Sequence, residues 1–173
     1  MNITEILNDK TKKPIEKRKA IADAVLSRAV SIKDLMALKI DDKKLALVFE
    51  VLEELSSKNP DMADLSWLKF AEEHMSSSDN NIKREVARIV GTIAHRFPND
   101  LYGIIPKLIE NTNGTGRVIR WSCAYALGKI ITIPKYAKSE LYDKLVKLAE
   151  KEPMNGNKNQ YLNGLKIAAK LRG

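Results

Sequence analysis

Two sets of side chains in this sequence are spaced to do chemistry together. Trp121, Tyr125 and Lys129 recur at i, i+4 and i+8, and Arg84, Arg88 and Thr92 stand 37 residues upstream of them, with His95 near that row's end. On a helix this spacing draws a line along one face. Further on, Asn159, Asn163, Lys166 and Lys170 also fall opposite an apolar face. The chemistry these residues offer is recognition. Guanidinium and ammonium groups anchor carboxylates, and aromatic rings supply contact area. The expected partner-contact set is Arg84, Arg88, Trp121, Tyr125, Lys129, Lys166 and Lys170. The same set could meet phosphates, with Trp121 or Tyr125 stacking on an exposed base.

Bond-making chemistry is hard to assemble from what remains. Two histidines, His74 and His95, with one cysteine do not make a structural zinc site. Cys123 falls among Ile119, Ala126 and Leu127 on the apolar face of its segment, where a thiol packs as a small hydrophobe. Asn113-Gly114-Thr115-Gly116 reads as a turn and helix start, since no Gly-Lys-Ser/Thr follows it. No catalytic residue, metal or cofactor is expected.

The elements that must carry the rows are helices. Ile82-Lys83-Arg84-Glu85-Val86-Ala87-Arg88-Ile89-Val90-Gly91-Thr92-Ile93 aligns on Ile119-Arg120-Trp121-Ser122-Cys123-Ala124-Tyr125-Ala126-Leu127-Gly128-Lys129-Ile130 at a shift of 37 residues. A period of that size in helical text signals stacked helical pairs, which bury their apolar faces only against neighbours. Pro60, Pro98, Pro134 and Pro153 punctuate the chain at related intervals. The pattern predicts pairs at 61–77 and 79–97, 99–112 and 115–132, and 138–152 and 156–172. Upstream, short first helices near 2–8 and 31–38 precede second helices at 14–29 and 41–58. Asp61, Ser78 or Asp79, Thr115 and Ser139 stand where helix starts want a cap. The expected organisation is one domain over 1–173. Residues 1–60 form irregular pairs, and 61–97, 98–133 and 134–173 are regular repeats.

The segment Arg117 to Ile130 resembles the second helix of a HEAT repeat: a basic residue, small alanines, then Ala-Leu-Gly and an isoleucine. Ile82 to Ile93 is similar to it. The likeness is fair over 61–78 and 138–172 and weak before residue 60. Residues 158–170 depart from it because Gly164 comes early, as a capping repeat would allow. The resemblance implies an all-α, right-handed α-α superhelix, a HEAT-like solenoid of about five pairs whose second helices line the concave side. It implies no reaction by itself. Metal-dependent hydroxylases of this shape use His-Glu dipeptides, whereas here Glu73-His74 is reversed and single. DNA-repair glycosylases of similar shape set an acidic residue among tryptophans in a basic groove, but 115–133 and 155–173 contain no Asp or Glu. Within the same resemblance, Arg120 reads as a structural tie between repeats. Trp121 either packs on a neighbouring repeat or stands in the groove. Trp67 reads as core.

Charge is unevenly shared. The chain carries a net +8 over 173 residues. The segments 79–97, 115–133 and 155–173 are net +2, +3 and +4, whereas 61–77 is −3, 99–112 is −1 and 138–152 is neutral. A basic concave surface follows if the second helices line it. The expected partner is a protein with acidic character, with nucleic acid as the alternative. The sequence shows no signal-peptide pattern and no run approaching the roughly 18 apolar residues of a membrane span, so a cytoplasmic protein without a membrane partner is expected.

Overall fold

The structure, a computed structural model, describes residues 2–114 and 116–173. These residues are all-helical, with 74% helix and no strand. In chain order the α-helices are α1 (Ile3–Asn8), α2 (Pro14–Leu26), α3 (Ile32–Met36), α4 (Asp42–Lys58), α5 (Leu65–His74), α6 (Asn80–Ile93), α7 (Ile104–Asn111), α8 (Arg117–Ile130), α9 (Pro134–Ala137), α10 (Leu141–Lys151) and α11 (Asn155–Arg172). Short 3₁₀ turns at Pro60–Met62 and Ala94–Arg96 flank α5 and α6.

Local chemistry explains most of the boundaries. Asp79 accepts the Ile82 N–H and starts α6, as expected for a side-chain cap. Asp61 does not cap α5. Pro60 opens a 3₁₀ turn there, Asp64 takes the capping role by accepting the Ser66 N–H, and Asp61 instead accepts from Arg96 Nη1 at 2.8 Å. The helix expected from 99 begins only at Ile104, because Leu101 turns into the core and Pro98 O accepts the Tyr136 hydroxyl. Pro134 starts α9, a one-turn helix not expected from the periodicity. Ser139 stands just before α10 and accepts the Leu141 N–H. Thr115, expected to cap α8, lies outside the described residues.

Packing follows a simple order. The longer helices meet in sequence, α2 with α4, α4 with α6, α6 with α8 and α8 with α11, while α5, α7 and α10 lie against α6, α8 and α11. One cluster of buried apolar side chains runs from Ile3 to Ala168. Each fully buried Ile or Leu in it contributes about 1.5–3 kcal/mol over exposure. Hydrogen bonds tie successive units at nearly constant sequence separation. His95 meets Thr132, Lys107 donates to Glu72 O, Asn111 to Met75 O and Arg172 to Ala137 O, all 35–37 residues apart.

Glycine sets how closely the long helices approach. A Cβ on Gly91 would lie 2.6 Å from the Tyr125 ring and 2.9 Å from Ala126 Cα. On Gly128 it would collide with Gln160 O, and on Gly164 with Gly128 O. The early glycine of α11 is therefore seated directly on the Gly128 backbone. Arg120 joins α8 to the start of α11. Its Nε donates to Glu152 Oε2 at 3.1 Å, with both side chains largely buried. Glu152 Oε1 also accepts from Met154 N and Asn157 Nδ2. Trp67 and Cys123 are both buried.

The buried face of α11 is narrow. Tyr161, Leu165 and Ala168 are buried, but Leu162 is 46% exposed and Ala169 is exposed. Among the described residues, no further helix covers that side of α11. Leu162 and Ala169 line an open depression with Tyr142 and Val146.

Candidate binding surface

The two rows of chemically able side chains meet on adjoining helices. Arg88 of α6 lies with its guanidinium carbon 5.3 Å from the centre of the Trp121 ring on α8. Trp121 and Tyr125, one turn apart on α8, stack with ring centres 5.5 Å apart and planes within 3°. Lys129 Nζ stands 5.6 Å from the Tyr125 ring. The result is a continuous stack of cation, indole, phenol and cation.

Polar bonds hold this stack in place. Arg88 Nε donates to Ser122 Oγ at 3.2 Å, and Thr92 Oγ1 and the Tyr125 hydroxyl are 3.1 Å apart. The α6 residues reach α8 residues one turn nearer the N-terminus than their 37-residue counterparts, the direction in which helical side chains lean. Gly91 leaves room for the Tyr125 ring. Trp121 and Tyr125 are both half-buried. Trp121 thus lies against Arg88 of the neighbouring helix and keeps part of its surface exposed.

Two depressions flank the stack. One, of about 510 Å³, is lined by Thr92 and His95 of the α6 segment, Tyr125 and Lys129 of α8, and Gln160 and Asn163 of α11. The other, of about 700 Å³, lies between α2, α4 and α6 and is lined by Arg18, Lys19, Glu50, Glu53, Glu54, Arg84, Glu85 and Arg88. The joined surface therefore carries five cationic side chains against four carboxylates. A count over α6, α8 and α11 alone suggests a uniformly basic face; α4 interrupts it with Glu50, Glu53 and Glu54.

The expected contact residues are distributed as follows. Arg88, Trp121, Tyr125 and Lys129 are brought together. Arg84 is nearby, but its Nε is bound at 2.7 Å to Glu85, which is buried. Lys166 is not with them. It lines the end depression beside Tyr142 and Leu162, and Lys170 is exposed outside both flanking depressions. The rotation of α11 about its own axis is fixed by Gly164 on Gly128, and that turns Gln160, Asn163 and Ile167 towards the Lys129 depression instead. Glu53, which charge counting on the later helices passed over, is the residue the sequence reading missed. Its signal was the run of glutamates in α4.

Titration behaviour marks the same region. Burial and the neighbouring charge of Glu85 hold the Glu53 carboxyl above its usual range, with Arg88 and Arg84 opposing. Elsewhere, burial pushes the Cys123 thiol up to about 12, so the thiolate that would act as nucleophile or ligand is suppressed. His74, packed edge-on against Phe49 and Phe70, is held below its usual value by burial, with Glu73 and Asp42 opposing.

No family model, no curated protein and no solved structure matches this chain. Among the described residues, no helix is long and apolar enough to cross a membrane.

Proposed function

We propose that the chain is a non-catalytic HEAT-like scaffold, a right-handed superhelix whose long helices line a shared concave surface that binds a segment of a protein partner. The stack of Arg88, Trp121, Tyr125 and Lys129 is the observation that carries this reading. Its side chains are ordered before any partner arrives, so binding loses little rotamer freedom. Large aromatics and arginines in half-buried settings are the residue types that dominate interface energy. The constant separation of the inter-unit hydrogen bonds and the glycines at 91, 128 and 164 support the repeat reading. The single cysteine, packed and unreactive, suits a reducing compartment, and we place the protein in the cytoplasm.

The test is partner capture from the native cell with the Arg88→Ala/Trp121→Ala double variant. Partner binding should be lost while the far-UV circular dichroism and thermal midpoint stay near those of the unaltered protein. Undiminished capture rejects this surface. A second reading, single-stranded nucleic acid on the same stack, is favoured by the parallel Trp121 and Tyr125 rings with Lys129 beside them. The α4 carboxylates oppose it. Its signature is a log–log salt slope of roughly 0.7 for each phosphate contacted. No gel shift at low salt removes it.

A further inference from the structure

Most charges on this surface are already answered within the chain. Glu50 accepts from Arg18 Nη1 at 2.7 Å, Glu54 pairs with Lys58, and Glu85 with Arg84. Two are not. Among the described residues, Glu53 on α4 forms no ion pair or side-chain hydrogen bond, although it is half-buried between α2, α4 and α6. Burial and the neighbouring charge of Glu85 hold its carboxyl above the usual range, with Arg88 and Arg84 only partly offsetting them. Lys129 is exposed over Tyr125 on a helix that carries no Asp or Glu, and no carboxylate lies within salt-bridge distance of it among the described residues. Glu53 and Lys129 have opposite sign, and Arg88, Trp121 and Tyr125 lie between them.

Glu53 and Lys129 are two helix rows apart, α4 to α6 to α8. Packed helices sit about 8–10 Å apart, so the span is about 20 Å. An extended chain advances at most about 3.3–3.6 Å per residue, so about six residues cover it. We propose that the occupant of this surface is an extended peptide segment of a partner protein, with a lysine or arginine that meets Glu53, an aspartate or glutamate about six residues away that meets Lys129, and apolar side chains between them over Trp121 and Tyr125. This inference rests on the scaffold reading above and gives that partner its chemistry. A wholly acidic segment would set carboxylates against Glu53 and its neighbours Glu50 and Glu54. A phosphate chain would do the same along its length, and like charges in contact are what interfaces use to exclude partners.

The experiment is selection from a display library of random 12-residue peptides on the immobilised full chain, with fluorescence anisotropy of the enriched peptides. The expected winners carry one cation and one anion about six residues apart around an apolar centre. Glu53→Lys should move selection to peptides anionic at both ends, and Lys129→Glu to peptides cationic at both ends. Each variant should weaken the original winner roughly tenfold, the scale of one lost charge pair. Glu53→Gln supplies a version that keeps the side-chain shape and should lose the preference for a cationic end. Circular dichroism and melting establish that each variant is folded. Uniformly acidic winners that still need Arg88 and Trp121 would overturn this inference and leave the scaffold reading standing. An empty selection, with labelled oligothymidylate binding in a salt-sensitive way instead, would overturn both.

Discussion

Glu53 shows how a single side chain can work against the fold that holds it. Its pKa is raised on folding, so its charged form is disfavoured in the native state. The penalty is present when the group is ionised, above the raised value, and is relieved as pH falls through it. Glu53→Gln should therefore raise the urea midpoint at pH 7 and leave it nearly unchanged in acid. His74 runs the other way. Its folded pKa lies below the usual 6.5, so the unfolded chain takes up the proton first. Its contribution is complete above about pH 6.5 and is lost as pH falls through the folded value. Thermal melts of His74→Gln should show a shallower decline between pH 7 and 5 than the unaltered protein. At this scale the sequence was legible where spacing alone decides, as for Trp121, Tyr125 and Lys129. It was not legible for Lys166 and Lys170, because the outward side of α11 depends on how that helix is rotated against α8. Glu53 was missed for a related reason: its importance comes from Glu85 and Arg88, more than 30 residues away.

The helices were legible because apolar residues recur at the helical period and polar caps stand at their starts, as Asp79 does for α6. Boundaries failed where two cap candidates competed, and Pro60 decided between Asp61 and Asp64. The glycines were visible as punctuation, but their purpose was not. At Gly128 and Gly164 a methyl group would strike backbone oxygen, which cannot rotate away. Gly128→Ala and Gly164→Ala should each cost about 1–3 kcal/mol, the usual cost of overpacking, despite the better helix propensity of alanine. Gly156 in the same α11 faces open space, with nothing within 4 Å of where a methyl group would sit. There Gly156→Ala should be neutral or stabilise by up to about 1 kcal/mol. Chemical denaturation of the three variants tests the distinction, and equal losses would contradict the close approach.

For the whole molecule, position in the row sets how well each helix is secured. Helices α6 and α8 are packed on both sides by other long helices, by α4 and α8 in one case and α6 and α11 in the other. At the beginning, α1 buries Ile3 and Leu7 with Ile6 partly buried against the core, and α11 leaves Leu162 and Ile167 exposed. Amide exchange should accordingly be slowest in α6 and α8 and fastest in α1 and the last turn of α11. Hydrogen-exchange mass spectrometry at neutral pH would read that gradient, and uniform protection along the row would argue against it. The all-helical class was legible from periodicity alone, whereas the mixed charge of the surface needed α4 to be placed beside α6.

The two tryptophans occupy contrasting surroundings, Trp67 in the core and Trp121 half-open between Arg88 and Tyr125. The protein thus carries its own optical reporter. Emission from the indole beside the guanidinium is accessible to a soluble quencher, while emission from the interior indole is shielded. Occupancy of the surface can be followed by the change in quenching, with no dye attached and no alteration of the chain.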